Sequence, residues 1–154
     1  MKHELIDIKL IKQKIQHYCA IRDRCQSQVI KKLKDYGANP HQLEDILKEL
    51  VQHDFLNEER FARTFCSGKF KINKWGKQKI AYELSKLKVP QKIIEIGMSE
   101  VNQSEYISRI AELSEKKYML VKDSNSYIRK KKVVNYLVGK GYETNLVWAF
   151  VNQL

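Results

Sequence analysis

Glycine, proline and cysteine are scarce in this chain, at six, two and three of 154 residues. Few glycines and prolines leave little room for a turn-rich sheet protein and favour long helices with short connections. Three cysteines, Cys19, Cys25 and Cys66, are odd in number and show no pairing pattern. That suits a reducing cytoplasm better than a disulfide-stapled secreted domain. No stretch approaches the roughly 18 consecutive apolar residues of a membrane span. The amino-terminal segment, MKHELIDIKLIKQK, has no apolar core of a secretory signal. Glycine-rich phosphate loops, catalytic serine patterns and HExxH are also missing, so no enzyme chemistry is expected. No cofactor is expected either. His17, Cys19, Cys25 and Cys66 supply metal-binding atom types, but their spacing does not make two close ligand pairs. Cys19 and Cys66 fall on apolar faces and read as small buried hydrophobes.

What the chain has in excess is positive charge. Its net charge is +11, with 29 Lys and Arg against 18 Asp and Glu. An excess of this size attracts polyanions: nucleic acid, an acidic protein face or anionic lipid.

The other excess is internal repetition. Val29-Ile30 with Leu33, Ile80-Ala81 with Leu84, and Val133-Val134 with Leu137 are one helical pattern at offsets of 51 and 53 residues. The copies continue in step through Leu43, Ile94 and Val147, then Leu47, Met98 and Val151. A period near 50 predicts stacked helical modules, whose usual product is an extended binding surface. The expected fold is all-α: three tandem three-helix modules, residues 1–54, 55–102 and 103–154. They stack into an elongated, curved array of undetermined hand.

Local signals place nine helices. In the first module, Ile8, Ile11, Ile15, Tyr18 and Cys19 share one face. Gly37 stops a second helix near Tyr36, and Asn39-Pro40 start a third. In the second, Asn57 reads as an N-cap and Leu56 with Phe61 as a hydrophobic staple. A basic connection, KFKINKWGKQK, leads to a helix burying Ile80, Ala81, Leu84 and Leu87, and Pro90 opens the next. In the third, Ser104 is the expected cap of a helix burying Tyr106, Ile107, Ile110 and Ala111. A break at residues 122–125 precedes a stripe of Val133, Val134 and Leu137, ended by Gly141.

Three sets of residues are candidates for partner binding. Lys69, Lys71, Lys74, Lys77 and Lys79 crowd a segment without acidic residues, with Phe70 and Trp75 interleaved. Cations with aromatics between them suit a phosphate backbone and stacked bases. Helical phase puts Trp75, Lys79, Tyr82 and Lys86 on a stripe opposite Ile80 and Leu84. The equivalent stripes of the other modules, Arg24/Gln28/Lys31/Asp35 and Ile128/Lys132/Asn135/Gly139, lack this mixture. The second set is Arg129, Lys130, Lys131 and Lys132, a cationic run at a helix start, where it opposes the local dipole. Arg60 and Arg63, with surface salt bridges as their alternative role, make a third.

The segments YCAIRDRCQSQVIKKLKDYG and FLNEERFARTFCSGKFKINKWGKQKI resemble the RecX family of bacterial regulatory proteins. The more specific part carries Leu56, Glu58, Arg60, Phe61 and Ala62, then the basic stretch, then Gly76 before an amphipathic helix. The resemblance runs from about Tyr18 to the end. It departs at Lys88, where the other modules have Gly37 and Gly141, and is thinnest in the third module. It implies tandem three-helix units and a non-enzymatic modulator of the RecA recombinase. Such a protein binds in the groove of the RecA–DNA filament, suppresses strand exchange and ATPase, and touches DNA directly. A monomer with weak, salt-sensitive DNA contact and no membrane association is the expectation. Two other readings stay open: a stand-alone, mainly phosphate-contacting DNA-binding protein, and an adaptor whose charge is incidental. Lysine's predominance over Arg, Asn and Gln favours phosphate over base-edge contact in either DNA reading.

Overall fold

The computed structural model describes residues 2–154, with side chains from Asp7 onward. Among these residues there are nine helices and no strand, as the apolar stripes predict. They are α1 (Lys2–Ile21), α2 (Gln26–Asp35), α3 (Pro40–Gln52), α4 (Glu58–Lys71), α5 (Lys77–Lys86), α6 (Gln91–Met98), α7 (Gln103–Leu120), α8 (Ser126–Gly139) and α9 (Thr144–Val151).

The chain forms two compact units. One gathers residues up to Thr64 together with Leu84–Gly97; the other gathers Phe65–Glu83 and Met98–Leu154. The backbone therefore leaves the first unit within α4 and returns to it within α5.

In the first unit α1, α2 and α3 pack mutually. Ile11, Ile15, Cys19, Val29, Leu33, Ile46, Leu50 and Leu56 form its core. Its helices start where the sequence predicts. Asn39 accepts the Gln42 N–H at 2.9 Å, and the Gln42 side chain accepts the Asn39 N–H at 3.0 Å. This capping box satisfies two donors that the first turn of α3 would otherwise leave open. Asn57 caps α4 through the Arg60 N–H at 2.9 Å, with Leu56 and Phe61 both buried beside it.

In the second unit α7, α8 and α9 pack mutually. Its largest buried side chains are Tyr106, Tyr142 and Phe70, joined by Ile80, Ile110, Val133, Leu137, Val147 and Val151. Several local expectations are corrected here. The cap of α7 is Asn102, which accepts the Glu105 N–H at 3.0 Å; Ser104 lies inside the first turn and donates to Asn102. Asn102 wins because its carbonyl oxygen stands before the first turn, where the unpaired N–H groups point. Ile107 is exposed, and Leu113 is buried in its place, one step round the helix. Lys69 to Lys71 belong to α4, so the basic connection shrinks to residues 72–76. Phe70 is 2% exposed and edge-on to Tyr106, so it is core and not a stacking platform.

One device recurs at the ends of α1, α4 and α7. A carbonyl in the last turn of each accepts from an arginine whose guanidinium also lies over that residue's own ring. Arg24 Nε donates to Tyr18 O at 3.2 Å with its Cζ 3.7 Å from the ring centroid. Arg109 Nη1 donates to Phe70 O at 2.9 Å, with Cζ 4.9 Å from the ring. Arg129 donates to Tyr118 O through Nε and Nη2 at 3.0 and 2.6 Å, with Cζ 3.6 Å from the ring. Each arginine satisfies an orphan carbonyl, opposes the negative end of the helix and stacks on an aromatic face.

Candidate functional site

The site is built around the turn from α4 to α5 in the second unit. Trp75 N–H donates to Lys69 O at 3.0 Å, which closes the turn. The half-buried indole then receives two ammonium groups: Lys69 Nζ at 4.9 Å and Lys79 Nζ at 4.5 Å from its centroid. Lys69 also lies 5.4 Å from the Phe65 ring. Two lysines from different helices are thereby held beside one aromatic face system. Each such contact contributes roughly 0.5–1 kcal/mol at an exposed site. A free lysine carries about 2 kcal/mol of rotamer entropy, so a held one loses less on meeting an anion.

The turn itself is clamped from below. Gly76 N–H donates to Lys140 O at 2.8 Å and Gln78 N–H to Gly141 O at 3.0 Å. Lys77 N–H donates to the Tyr106 hydroxyl at 3.0 Å, and that hydroxyl donates to Glu143 Oε1 at 2.6 Å. The first backbone donors of α5 are therefore paired within the unit, leaving binding to side chains. A methyl at Gly76 would stand 2.3 Å from the Gly141 carbonyl carbon, so only glycine permits this approach. Lys74 has a left-handed backbone, φ +59, and its carbonyl accepts from the Tyr142 hydroxyl at 2.8 Å. Burial pushes both tyrosine hydroxyls above their ordinary range, Tyr142 to about 12, so both stay protonated donors at neutral pH.

The predicted residues separate into groups. Lys69, Trp75 and Lys79 come together as described. Lys71 is exposed, and Lys74 is half-buried in the turn. Lys77 is engaged internally, with Nζ 2.8 Å from Gln103 Oε1 and 4.7 Å from the Tyr106 ring. Tyr82 is 62% exposed, and Lys86 is also exposed, one turn further along α5.

On α8, Arg129 is taken up by Tyr118 as above. Lys132 pairs with Asp123 at 3.3 Å. The Asn125 N–H and Lys132 hold Asp123 below the usual carboxylate range. Lys130 Nζ is 3.5 Å from Asn152 O, and Lys131 is exposed.

In the first unit, Arg60 binds Asp23 at 2.6 Å and Asp54 at 2.9 Å and donates to Asp54 O at 3.1 Å. The hydrogen bond to Asp23 raises its already high pKa. It ties the α1–α2 and α3–α4 connections to the start of α4. Arg63 pairs with Glu59 one turn earlier, at 3.0 Å.

Sequence reasoning missed the supports: Arg109, Tyr142, Glu143 and the pairing of Gly76 with Gly141. The one available signal was that Gly76 directly precedes a helix without being needed as a stop. The three cysteines are buried, and burial pushes the Cys66 thiol up to about 11, so it is a poor nucleophile.

Comparison with known proteins places the chain in a family. Residues 57–98 match the model of the RecX second three-helix domain and residues 104–151 that of the third. "Regulatory protein RecX" of Clostridium acetobutylicum is 29% identical over 123 residues, 77% of this chain and 56% of that protein's length. The RecX of Prosthecochloris aestuarii is 26% identical over 137 residues, covering 89% of this chain and 88% of its own. The crystal structure of RecX from Lactobacillus salivarius superposes with a TM-score of 0.88 at 18% identity, over 97% of both chains. A second crystal structure of regulatory protein RecX gives 0.86 at 17% identity, over 96% of this chain and 74% of the other. No helix among the described residues is long and apolar enough to cross a membrane. With the second and third domain models together matching more than half of its length, the chain belongs to the RecX family of regulatory proteins.

Proposed function

We propose that the protein modulates, mainly by inhibition, a RecA-type recombinase by binding its DNA filament. The Lys69–Trp75–Lys79 group makes part of the contact. The observation that carries this reading is the pair of ammonium groups held on one indole at 4.9 and 4.5 Å. Prearranged cations suit a regularly spaced line of phosphates. Membership of a family of regulatory proteins supports a role in control and not in catalysis. We read the protein as a non-enzymatic, cytoplasmic monomer without a cofactor. Lys130, Lys131, Tyr82 and Lys86 extend the proposed contact; Arg60, Arg63, Lys77, Arg129 and Lys132 serve it through the packing they secure.

The test is Lys69→Gln with Lys79→Gln, shown to be folded by circular dichroism. The expected result is about tenfold more protein needed to suppress DNA-dependent recombinase ATPase, from the loss of two exposed ion pairs of about 0.7 kcal/mol each. Inhibition equal to wild type would defeat the reading. The second reading, a stand-alone phosphate-contacting DNA binder, rests on the lysines at 69 and 79, which can meet phosphates as point charges. It predicts tight binding to bare duplex DNA at physiological salt, whereas the filament reading predicts weak binding that collapses as salt rises.

A further inference from the structure

A second concentration of charge lies in the first unit. It is a cleft of about 710 Å³ lined by Tyr18, Ser27, Ile30, Lys31, Lys34 and Lys88, with Lys32, Gln28, Asp35 and Leu87 completing the wall. Four lysines face it against a single aspartate.

Ser27 and Gln28 are already engaged. Ser27 Oγ donates to Leu87 O, and Gln28 accepts the Cys25 N–H at 3.2 Å. Lys32 lies 5.4 Å from the Tyr18 ring and 5.9 Å from that of Tyr36. Lys31, Lys34 and Lys88 are exposed, and no carboxylate among the described residues pairs with them. Their charge is available to a ligand.

Lys88 adds an independent observation. Its backbone is left-handed, φ +62, while the corresponding positions in the repeat are Gly37 at φ +92 and Gly141 at φ +101. Glycine adopts this conformation without penalty, and a side chain does not. Lys88 keeps this costly backbone where two sister positions use glycine, and its side chain lines the cleft.

We propose that this cleft docks an acidic peptide segment of a protein partner, with an aliphatic side chain as its anchor. Ile30 and Leu87 give the cleft an aliphatic floor, and both are half-buried. The only aromatic in the wall, Tyr18, has the Arg24 guanidinium 3.7 Å from its centroid. Lys32, which lines the cleft, also stands 5.4 Å from that centroid, so the ring already carries two cations and is not a bare stacking platform for a base. An aliphatic floor rimmed by lysines selects a leucine-like side chain flanked by carboxylates. A phosphate backbone has no such anchor. The volume suits a few side chains. This inference does not rest on the filament reading, because no residue lining the cleft is among those proposed for that contact.

The experiment uses the full chain and a labelled short peptide of alternating Glu and Leu, read by fluorescence anisotropy. The Leu peptide is expected to bind about tenfold tighter than its Leu→Ser counterpart, from burial of apolar side chains. Lys31→Glu with Lys34→Glu and Lys88→Glu should weaken it by about tenfold or more. Lys88→Gly is the decisive variant: affinity should fall about threefold, as for loss of one exposed ion pair, while the melting temperature rises. That combination cannot come from misfolding. Equal binding of the Leu and Ser peptides would overturn the proposal. So would unchanged affinity in Lys88→Gly, or displacement of the peptide by an oligothymidylate that binds more tightly. No recombinase is present, so these outcomes leave the filament reading untouched.

Discussion

Arg129, Lys130, Lys131 and Lys132 follow one another directly, while Lys69 and Lys79 stand in different helices of the same unit. The consecutive run has the higher local charge, yet half of it is engaged within the unit. Arg129 closes the end of α7 on Tyr118, and Lys132 is paired with Asp123. Lys69 and Lys79 have no carboxylate partner among the described residues; each rests on an aromatic ring that leaves its charge intact. A cation bound to a carboxylate or a helix end contributes to stability and little to recognition. One bound to a π face is oriented but not neutralised. Charge density along the chain and charge available at the surface are therefore different quantities.

The largest effect that would break this contrast comes from beneath the α4–α5 turn. Gly76→Ala forces a methyl into the Gly141 backbone, and the expected loss is about 3 kcal/mol of stability in urea unfolding. Retention of wild-type stability would mean that the α8–α9 turn does not hold α5 as described.

A smaller effect sharpens the other side. Arg129→Ala should lower stability by about 1.5 kcal/mol, because a carbonyl at the end of α7 loses a charged donor. Lys131→Ala should stay within about 0.5 kcal/mol of wild type. If the two variants were alike in thermal unfolding, the run would be a uniform charged face after all.

The smallest effect is alkaline. Tyr106 and Tyr142 have hydroxyls raised above the ordinary tyrosine range, Tyr142 to about 12. In the unfolded chain they ionise near pH 10. Between these limits the unfolded state releases protons that the folded state keeps, so stability is full below about pH 10 and declines as pH rises towards 12. Tyr142→Phe should cost about 1 kcal/mol at neutral pH through the lost bond to Lys74. It should also flatten the alkaline decline, and an unchanged slope would exclude Tyr142 as its source.

Much of the helical plan was legible because its causes are local. Asn39 and Asn57 cap through atoms three residues away, and the stripes of Leu33, Leu84 and Leu137 are fully buried. The miss at α7, Ser104 for Asn102, is a choice between two good cap residues two positions apart. Phe70 misled for a different reason. Its neighbours in sequence are lysines, but its neighbours in space are Tyr106 and Arg109. The candidate site was legible as composition only: Lys69, Trp75 and Lys79 were named together, while the atoms that fix them come from α7 and the α8–α9 turn. The Lys88 departure was visible as a broken repeat, and its left-handed backbone turned it from an irregularity into a clue.

The sequence by itself determined the all-helical class, the repeating apolar stripes, most helix starts and the basic character of the molecule. Periodicity, caps and net charge act over a turn or two of helix, or over the whole chain at once. Only the tertiary structure decided which cations are available. Arg24, Arg109 and Arg129 each lie over an aromatic and bond to a helix-end carbonyl, through separations of 6, 39 and 11 residues. Such partners share no fixed spacing. They meet because packed helices bring an unpaired carbonyl and an aromatic ring to the same place, where a planar cation satisfies both.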